Sequence, residues 1–345
     1  MTSMRRVVVY PGQIAVEQAD IPVPGPNEAL VRMLAAGVCG SDLHAAHERH
    51  PFVPLPYRPG HEAVGVVEST GSAVEGAAGV APGQRVIVVP YLPCFTCKMC
   101  TSGRENLCEN LGFFGCGYPQ GGMADYFTLA ANRLYPVPDD LDDLTAALIE
   151  PLATPVHAVR LAGDVAGRSV AVLGAGTIGL FTLAVLRAHG AGKIISTDPN
   201  PDKRERAAAL GADVTIDART PDVAGQVREA LGGSADIVFD CVAIQSSMDQ
   251  AIAIADKGGT VVVVGVPAKE VTVPLPIVQD HQIRIQGSAT YLPVDYRESI
   301  DLLSRGDVRA ADFVTATRPL DQVAEAFELA SSGNHVKVLV TVGER

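Results

Sequence analysis

The sequence predicts an α/β protein of two domains: an antiparallel, barrel-like domain of short strands, then a doubly wound parallel sheet. Three observations predict it. The chain has 345 residues, about two domains at roughly 150 residues each. Up to about Ala153, short apolar segments alternate with turns rich in Gly and Pro. Beyond that point strand and helix patterns alternate around a glycine-rich turn.

The early strands fall at 6–10, 29–36, 62–69 and 85–89. Pro22, Pro24, Gly25, Pro26, Pro51, Pro54, Pro56, Pro59, Pro82 and Gly83 punctuate them, as in small antiparallel barrels. The second series opens with an apolar strand at 169–173 and an apolar helix at 178–189. A strand at 193–197 and a charged amphipathic helix at 201–210 follow, then strands at 213–216, 237–241 and 260–266. Such alternation means parallel strands covered by helices on both faces. The tail past Gly287 carries helices at 296–305 and 322–331 and a final strand at 336–341.

Composition narrows the function classes. Apolar residues are 47% and charged residues 19%, which is globular rather than disordered. Lys and Arg number 27 against 39 Asp and Glu, for a net charge of −12. With no basic run, the chain is expected to bind neither nucleic acid nor an anionic membrane surface. Residues 169–186 carry no charge and are long enough to mimic a membrane span, but Gly174, Gly176 and Gly179 divide them into strand, turn and helix. Residues 1–9 carry Arg5 and Arg6 and then only a short apolar run, unlike a signal peptide. A cytoplasmic location is therefore expected, where clustered cysteines bind metal rather than form disulfides.

Gly174-Ala175-Gly176-Thr177-Ile178-Gly179 follows a strand and opens a helix. That context turns a weak motif into a dinucleotide fingerprint. The glycines permit the tight turn, the approach of backbone to a pyrophosphate and close helix–strand packing. The helix N-terminus offers free N–H groups to the phosphates. Asp198 ends the next strand, where an acid accepts hydrogen bonds from a ribose 2′-hydroxyl and repels a 2′-phosphate. This favours NAD over NADP. Lys203 and Arg204 pull the other way if they meet a phosphate, and not if they form a solvated helix face. Val264, Gly265, Val266, Ser288 and Ala289 end strands on the side where ligands bind such sheets; strand-end packing explains them equally.

Cys94, Cys97, Cys100 and Cys108 stand in a C-x2-C-x2-C-x7-C spacing. Four thiolates so close in sequence can close a tetrahedron on Zn2+, leaving no open position, so the zinc would be structural. An iron–sulfur cluster or redox cysteines use the same residues. Cys116 and Cys241 lie outside the spacing and read as ordinary thiols. A second constellation is Cys39-Gly40-Ser41-Asp42-Leu43-His44, then Gly60-His61-Glu62 and, far along, Glu150-Pro151-Leu152. Thiolate, imidazole and carboxylate suit a zinc site that keeps one position for substrate.

With CGSDLH, GHEAVGVV, the four-cysteine lobe, EPLATPVHAV and GAGTIG in this order, the chain resembles the zinc-containing medium-chain dehydrogenase/reductase family over nearly its whole length. The resemblance implies a GroES-like barrel-type catalytic domain over 1–153, with a structural zinc lobe at about 90–110. It implies a Rossmann domain over 154–288, and a segment, 289–345, that returns to the catalytic domain. It implies Cys39 and His61 as ligands of a catalytic zinc. Where alcohol dehydrogenases have a third cysteine this chain has Glu150, as the polyol and threonine branch does. In that branch Glu62 also reaches the metal, so either carboxylate can be the third ligand. Asp42 is a candidate partner for the other nitrogen of His61.

By the same resemblance, Ser41 takes the proton from the substrate oxygen and His44 passes it on, unless His44 is a plain surface histidine. His47 and His50 line the substrate mouth or are plain. Thr154 matches a position near the nicotinamide, and Lys337 one that reaches the pyrophosphate. The implied activity is oxidation of a secondary alcohol in a polyol, a sugar-derived compound or a diol, with NAD as acceptor. Alternatives are a threonine or amino-alcohol dehydrogenase, an enzymatically silent zinc-stabilised NAD-binding protein, and a zinc-free quinone reductase. The pocket would come from the loops 45–57 and 112–120, where Phe52, Phe113 and Phe114 are either lining or core. A homodimer or homotetramer is expected.

Overall fold

The computed structural model describes residues 3–48, 50, 53–74 and 80–342. It divides into two compact units, Met1–Glu150 with Arg309–Arg345, and Pro151–Val308. The first is built on a seven-stranded sheet. Strands Val314–Pro319, Lys337–Thr341, Glu28–Val38, Glu62–Thr70, Arg85–Val88 and Leu134–Pro136 lie side by side, and Tyr126–Ala130 also pairs with Glu28–Val38. The strand Glu28–Val38 alternates buried and half-buried residues up to Leu34, then is buried continuously from Ala35 to Val38. Alternation means one covered face. Its end means that both faces are covered just before Cys39. There the strand pairs with Glu62–Thr70 on one side and Lys337–Thr341 on the other. Val31, Met33, Val86, Phe127 and Val338 share one core with Phe327 of helix Val323–Ser331, each such large side chain contributing roughly 1.5–3 kcal/mol.

The second unit is a six-stranded parallel sheet in the order Val214–Ile216, Ile194–Thr197, Val170–Leu173, Ala235–Asp240, Ala255–Val263 and Arg284–Gly287. All its pairings are parallel. Val170–Leu173 stands where the strand order reverses, and Leu173 is in register with Thr197 and with Asp240. The carboxyl ends beside the glycine-rich turn are therefore level, at the switch point where such sheets bind ligands. The uncharged run is strand Val170–Leu173 and helix Thr177–Ala188. No helix among the described residues is long and apolar enough to cross a membrane.

The expected boundary at 289 needs correction: the chain stays in the second unit to Val308. The helix Pro293–Ser304 explains why. Its Asp295, fully buried, accepts from the Leu292 amide at 2.6 Å and from Arg160 Nε at 2.7 Å, and lies 2.8 Å from His157 Nδ1. His157 and Arg160 belong to helix Ile149–Ala162. Burial disfavours the charged carboxylate, but His157 and Arg160 outweigh it and hold Asp295 below its ordinary pKa. A buried charge tied this way cannot leave its partners cheaply.

Candidate active site

Cys39 follows the strand Glu28–Val38 and caps helix Gly40–Ala46. The Asp42 Oδ2 accepts the Cys39 amide at 3.0 Å, which fixes where the thiol leaves the backbone. His61 and Glu62 stand at the start of Glu62–Thr70, after Gly60. Gly60 has φ +111°, and a side-chain carbon there would lie 2.2 Å from the Met123 amide nitrogen. Only glycine makes that turn. Cys39, His61 and Glu62 each offer one ligand atom, and the three atoms lie within 4.8 Å of one another. A thiolate, an imidazole and a carboxylate at this spacing fit a zinc ion with an open position. Glu150 is buried in the first turn of helix Ile149–Ala162, outside that group of three. Its charge still acts on His61.

Burial opposes a charged imidazole at His61. The charges of Asp42 and Cys39 prevail and raise its pKa well above the ordinary value. His61 hydrogen-bonds Cys39 while its Nδ1 has no partner, so Nε2 faces the thiol. The expected Asp42 contact is not made as a hydrogen bond: Oδ1 stands 4.0 Å from His61 Nδ1.

Lys337 is buried in the first unit. Its side chain is 3% exposed, and its ammonium donates to Glu62 Oε1 at 2.7 Å, Glu62 Oε2 at 2.8 Å and Val38 O at 3.2 Å. The strand that it opens pairs through Val338–Thr341 with Ala35–Val38, and the side chain is buried in the interior of the first unit. Phe113 is half-buried with its ring edge-on to His61 at 5.8 Å, whereas Phe114 is core. Phe52 lies outside the described residues. Ser41 is half-buried and His44 exposed on the helix that Cys39 caps. Tyr57, which sequence reading missed, sends its hydroxyl to Asp42 Oδ1 at 3.1 Å. No spacing signal announces that contact or the Lys337–Glu62 pair.

The four-cysteine lobe also assembles. The sulfurs of Cys97 and Cys100 are 3.5 Å apart, and those of Cys97 and Cys108 3.9 Å. Four sulfurs around a zinc at about 2.3 Å would be separated by about 3.8 Å. Amides of Cys94, Cys97 and Asn110 point at the sulfurs of Cys108 and Cys94. Arg133 stacks on Tyr91 and Phe95, closing the lobe's base.

In the second unit Gly176 caps helix Thr177–Ala188, and a side-chain carbon on Gly179 would lie 1.8 Å from Gly174 O. Helix and turn can close only on glycine there. Ile178 and Thr177 form the first turn. Asp198 is 6% exposed and accepts from Ala175 N at 2.9 Å and Asn200 N at 2.8 Å. Arg204 donates to the carbonyls of Asp198 and Pro199, while Lys203 is half-buried on the same helix. Val264 is buried and Val266 exposed beyond Ala255–Val263. Ser288 follows Arg284–Gly287 with a buried Oγ that has no partner, and exposed Ala289 comes next. Thr154 is half-buried in helix Ile149–Ala162. A switch-point turn, a helix N-terminus and an unsatisfied hydroxyl suit a dinucleotide.

A barrel-type unit with a dispersed ligand set and a thiolate lobe, in one chain with a doubly wound sheet, defines a metal-assisted dehydrogenase architecture. The family model for the alcohol dehydrogenase GroES-like domain matches residues 25–139, and that for zinc-binding dehydrogenase matches 177–305. L-Galactonate-5-dehydrogenase of Escherichia coli (strain K12) is 34% identical over 319 residues, covering 92% of either chain. Sorbitol dehydrogenase of Macaca fascicularis is 34% identical over 340 residues, 97% of this chain and 94% of that one. The crystal structure of a zinc-binding dehydrogenase from Sinorhizobium meliloti 1021 bound to NADP superposes with a TM-score of 0.92 at 33% identity, covering 99% of this chain and 100% of that one. The chain belongs to the zinc-containing medium-chain dehydrogenase/reductase family.

Proposed function

We propose that the protein is a zinc-dependent oxidoreductase that moves a hydride from a secondary alcohol to NAD+. The substrate class is a polyol, a sugar acid or a diol. One observation carries the reading: the ligand atoms of Cys39, His61 and Glu62 gather within 4.8 Å in a chain whose relatives include a sorbitol and an L-galactonate dehydrogenase. Zinc, when bound, lowers the pKa of the substrate hydroxyl, and NAD, when bound, takes the hydride. Everything else falls to the chain. Cys39 and His61 hold the metal, and Glu62 or Glu150 completes the set. Ser41 accepts the hydroxyl proton. His44, three residues on and so on the same helix face, carries it from a half-buried to an exposed position.

Gly174, Gly176, Thr177, Ile178 and Gly179 receive the pyrophosphate, in this reading. Asp198 keeps acceptor capacity for ribose hydroxyls after its two amide bonds, and its charge disfavours a 2′-phosphate. That supports NAD, although one relative binds NADP. Lys203 flanks the ribose, and Thr154, Val264, Val266, Ser288 and Ala289 flank the nicotinamide. Copies would associate through the edge strand Arg284–Gly287, where Ile285 is 37% exposed and Leu275 and Ile277 are exposed nearby in the chain. An open apolar edge calls for a cover. Cys94, Cys97, Cys100 and Cys108 gather as one ligand set, the use of clustered cysteines expected in a reducing, cytoplasmic setting.

The test is metal content per chain together with NAD+ and NADP+ reduction over polyols, sugar acids, diols and threonine. About two zinc per chain and turnover of one polyhydroxylated class with NAD+ are expected, from a particle that is a multiple of 36.0 kDa by light scattering. One zinc and no turnover would leave a protein stabilised only by its four-cysteine lobe. Turnover of threonine alone would move it to the amino-alcohol branch.

A further inference from the structure

We propose that Tyr57 is a positioning residue for the catalytic metal, acting through Asp42 on His61; the inference rests on the zinc reading above. Asp42 has no solvent contact, and each carboxylate oxygen is engaged from a different part of the chain. Oδ2 accepts the Cys39 amide at 3.0 Å, and Oδ1 accepts the Tyr57 hydroxyl at 3.1 Å. The amide bond alone would leave the carboxylate free to pivot about it. The second grip, from the opposite oxygen, stops that pivot. It holds Oδ1 facing His61 Nδ1, 4.0 Å away, a nitrogen with no hydrogen-bond partner of its own.

Tyr57 is itself immobile. Its amide donates to Val9 O at 3.1 Å, and its carbonyl accepts from Val9 N at 2.9 Å. The side chain is 2% exposed within the core of the first unit. The hydroxyl thus transmits the position of strand Ser3–Tyr10 to Asp42. An imidazole that binds metal through Nε2 must carry its proton on Nδ1. The group that faces Nδ1 then sets its tautomer and its tilt. Oδ1 can take a second donor beside Tyr57, so a shift of His61 toward Asp42 would close the remaining gap without breaking the phenol contact. Tyr57, Asp42, Cys39 and His61 form one chain of contacts inside one unit, from a rigid strand to the ligand set.

The experiment is zinc release from the intact holoenzyme to a chromophoric chelator, for wild type, Tyr57→Phe, Asp42→Asn and the double variant. Tyr57→Phe keeps the ring and removes one O–H. The Cys39→Ser enzyme identifies which kinetic phase belongs to the catalytic site. We expect that phase to quicken about 10-fold in Tyr57→Phe, the lower end of the effect for outer partners of metal ligands. The four-cysteine phase should not move, and the melting temperature should fall by only a few degrees, the cost of one buried hydrogen bond. In the Asp42→Asn background Tyr57→Phe should add nothing, because its effect passes through the carboxylate. A wild-type release rate, a slower one, or an undiminished effect without Asp42 overturns the proposal. If wild type itself lacks the phase, the zinc reading fails first and takes this inference with it.

Discussion

The two metal centres are built from opposite materials. The four-cysteine lobe draws its ligands from fifteen consecutive positions, Cys94 to Cys108, on a four-residue helix, Lys98–Thr101, and short turns. Three of its cysteines are only half-buried. Cys39, His61 and Glu62 come from the end of one strand and the start of its neighbour, with His61 and Glu62 buried. The lobe has almost no core of its own, so its metal would substitute for one. The dispersed site sits where strands already pack on both faces, so its metal is free to do chemistry. The difference teaches which loss each site should show: fold for the lobe, activity for the other.

The sharpest way to break this comparison is Cys39→Ser. Turnover should fall by at least about 1,000-fold, about 4 kcal/mol of barrier. Metal content should drop by one ion, and the melting temperature should stay within about 2 °C. Retention of a tenth of the activity would dissolve the distinction. Cys100→Ser should do the reverse. A stability loss of more than about 3 kcal/mol, beyond the range of ordinary single substitutions, should appear in denaturant unfolding, with the catalytic ion retained in whatever chain stays folded. An unchanged midpoint would mean the lobe is ornament.

The smallest effect concerns the free thiols. Hydrogen bonds from Thr96 and from the Cys97 amide lower the Cys94 thiol to about 6. Burial pushes Cys116 and Cys241 up to about 12. Below pH 6 Cys94 is a thiol and above it a thiolate, the nucleophilic form. After chelation, iodoacetamide labelling of Cys94 should therefore rise through about pH 6, while Cys116 and Cys241 stay unlabelled at pH 8. Restored zinc should protect Cys94. A labelling midpoint near the ordinary thiol value would show that the lobe does not prepare its thiolates before metal arrives.

What could be read before folding follows the same division. The four cysteines and the 174–179 turn are legible because their chemistry is local: ligands or phosphate-binding amides lie within a few residues. Cys39, His61 and Glu62 were legible only as members of a family pattern, since nothing in their spacing brings a strand end beside a neighbouring strand's start. Glu150 was grouped with them in sequence and stands outside the group of three in space. The place of helix Pro293–Ser304 in the second unit is not legible in sequence, because it is carried by one buried aspartate and two partners more than 130 residues away.

By itself, then, the amino-acid order determined the two-domain α/β plan, the thiolate lobe and the dinucleotide turn. Each is written in short-range periodicity or spacing, and each survives whatever the rest of the chain does. Tertiary structure alone decided that Lys337 meets Glu62 across 275 residues, that Tyr57 grips Asp42, and that Asp42 stands just short of His61. Those contacts depend on strand register between distant segments. A shift of one residue in the pairing of Lys337–Thr341 with Glu28–Val38 would turn Lys337 to the opposite face of its sheet.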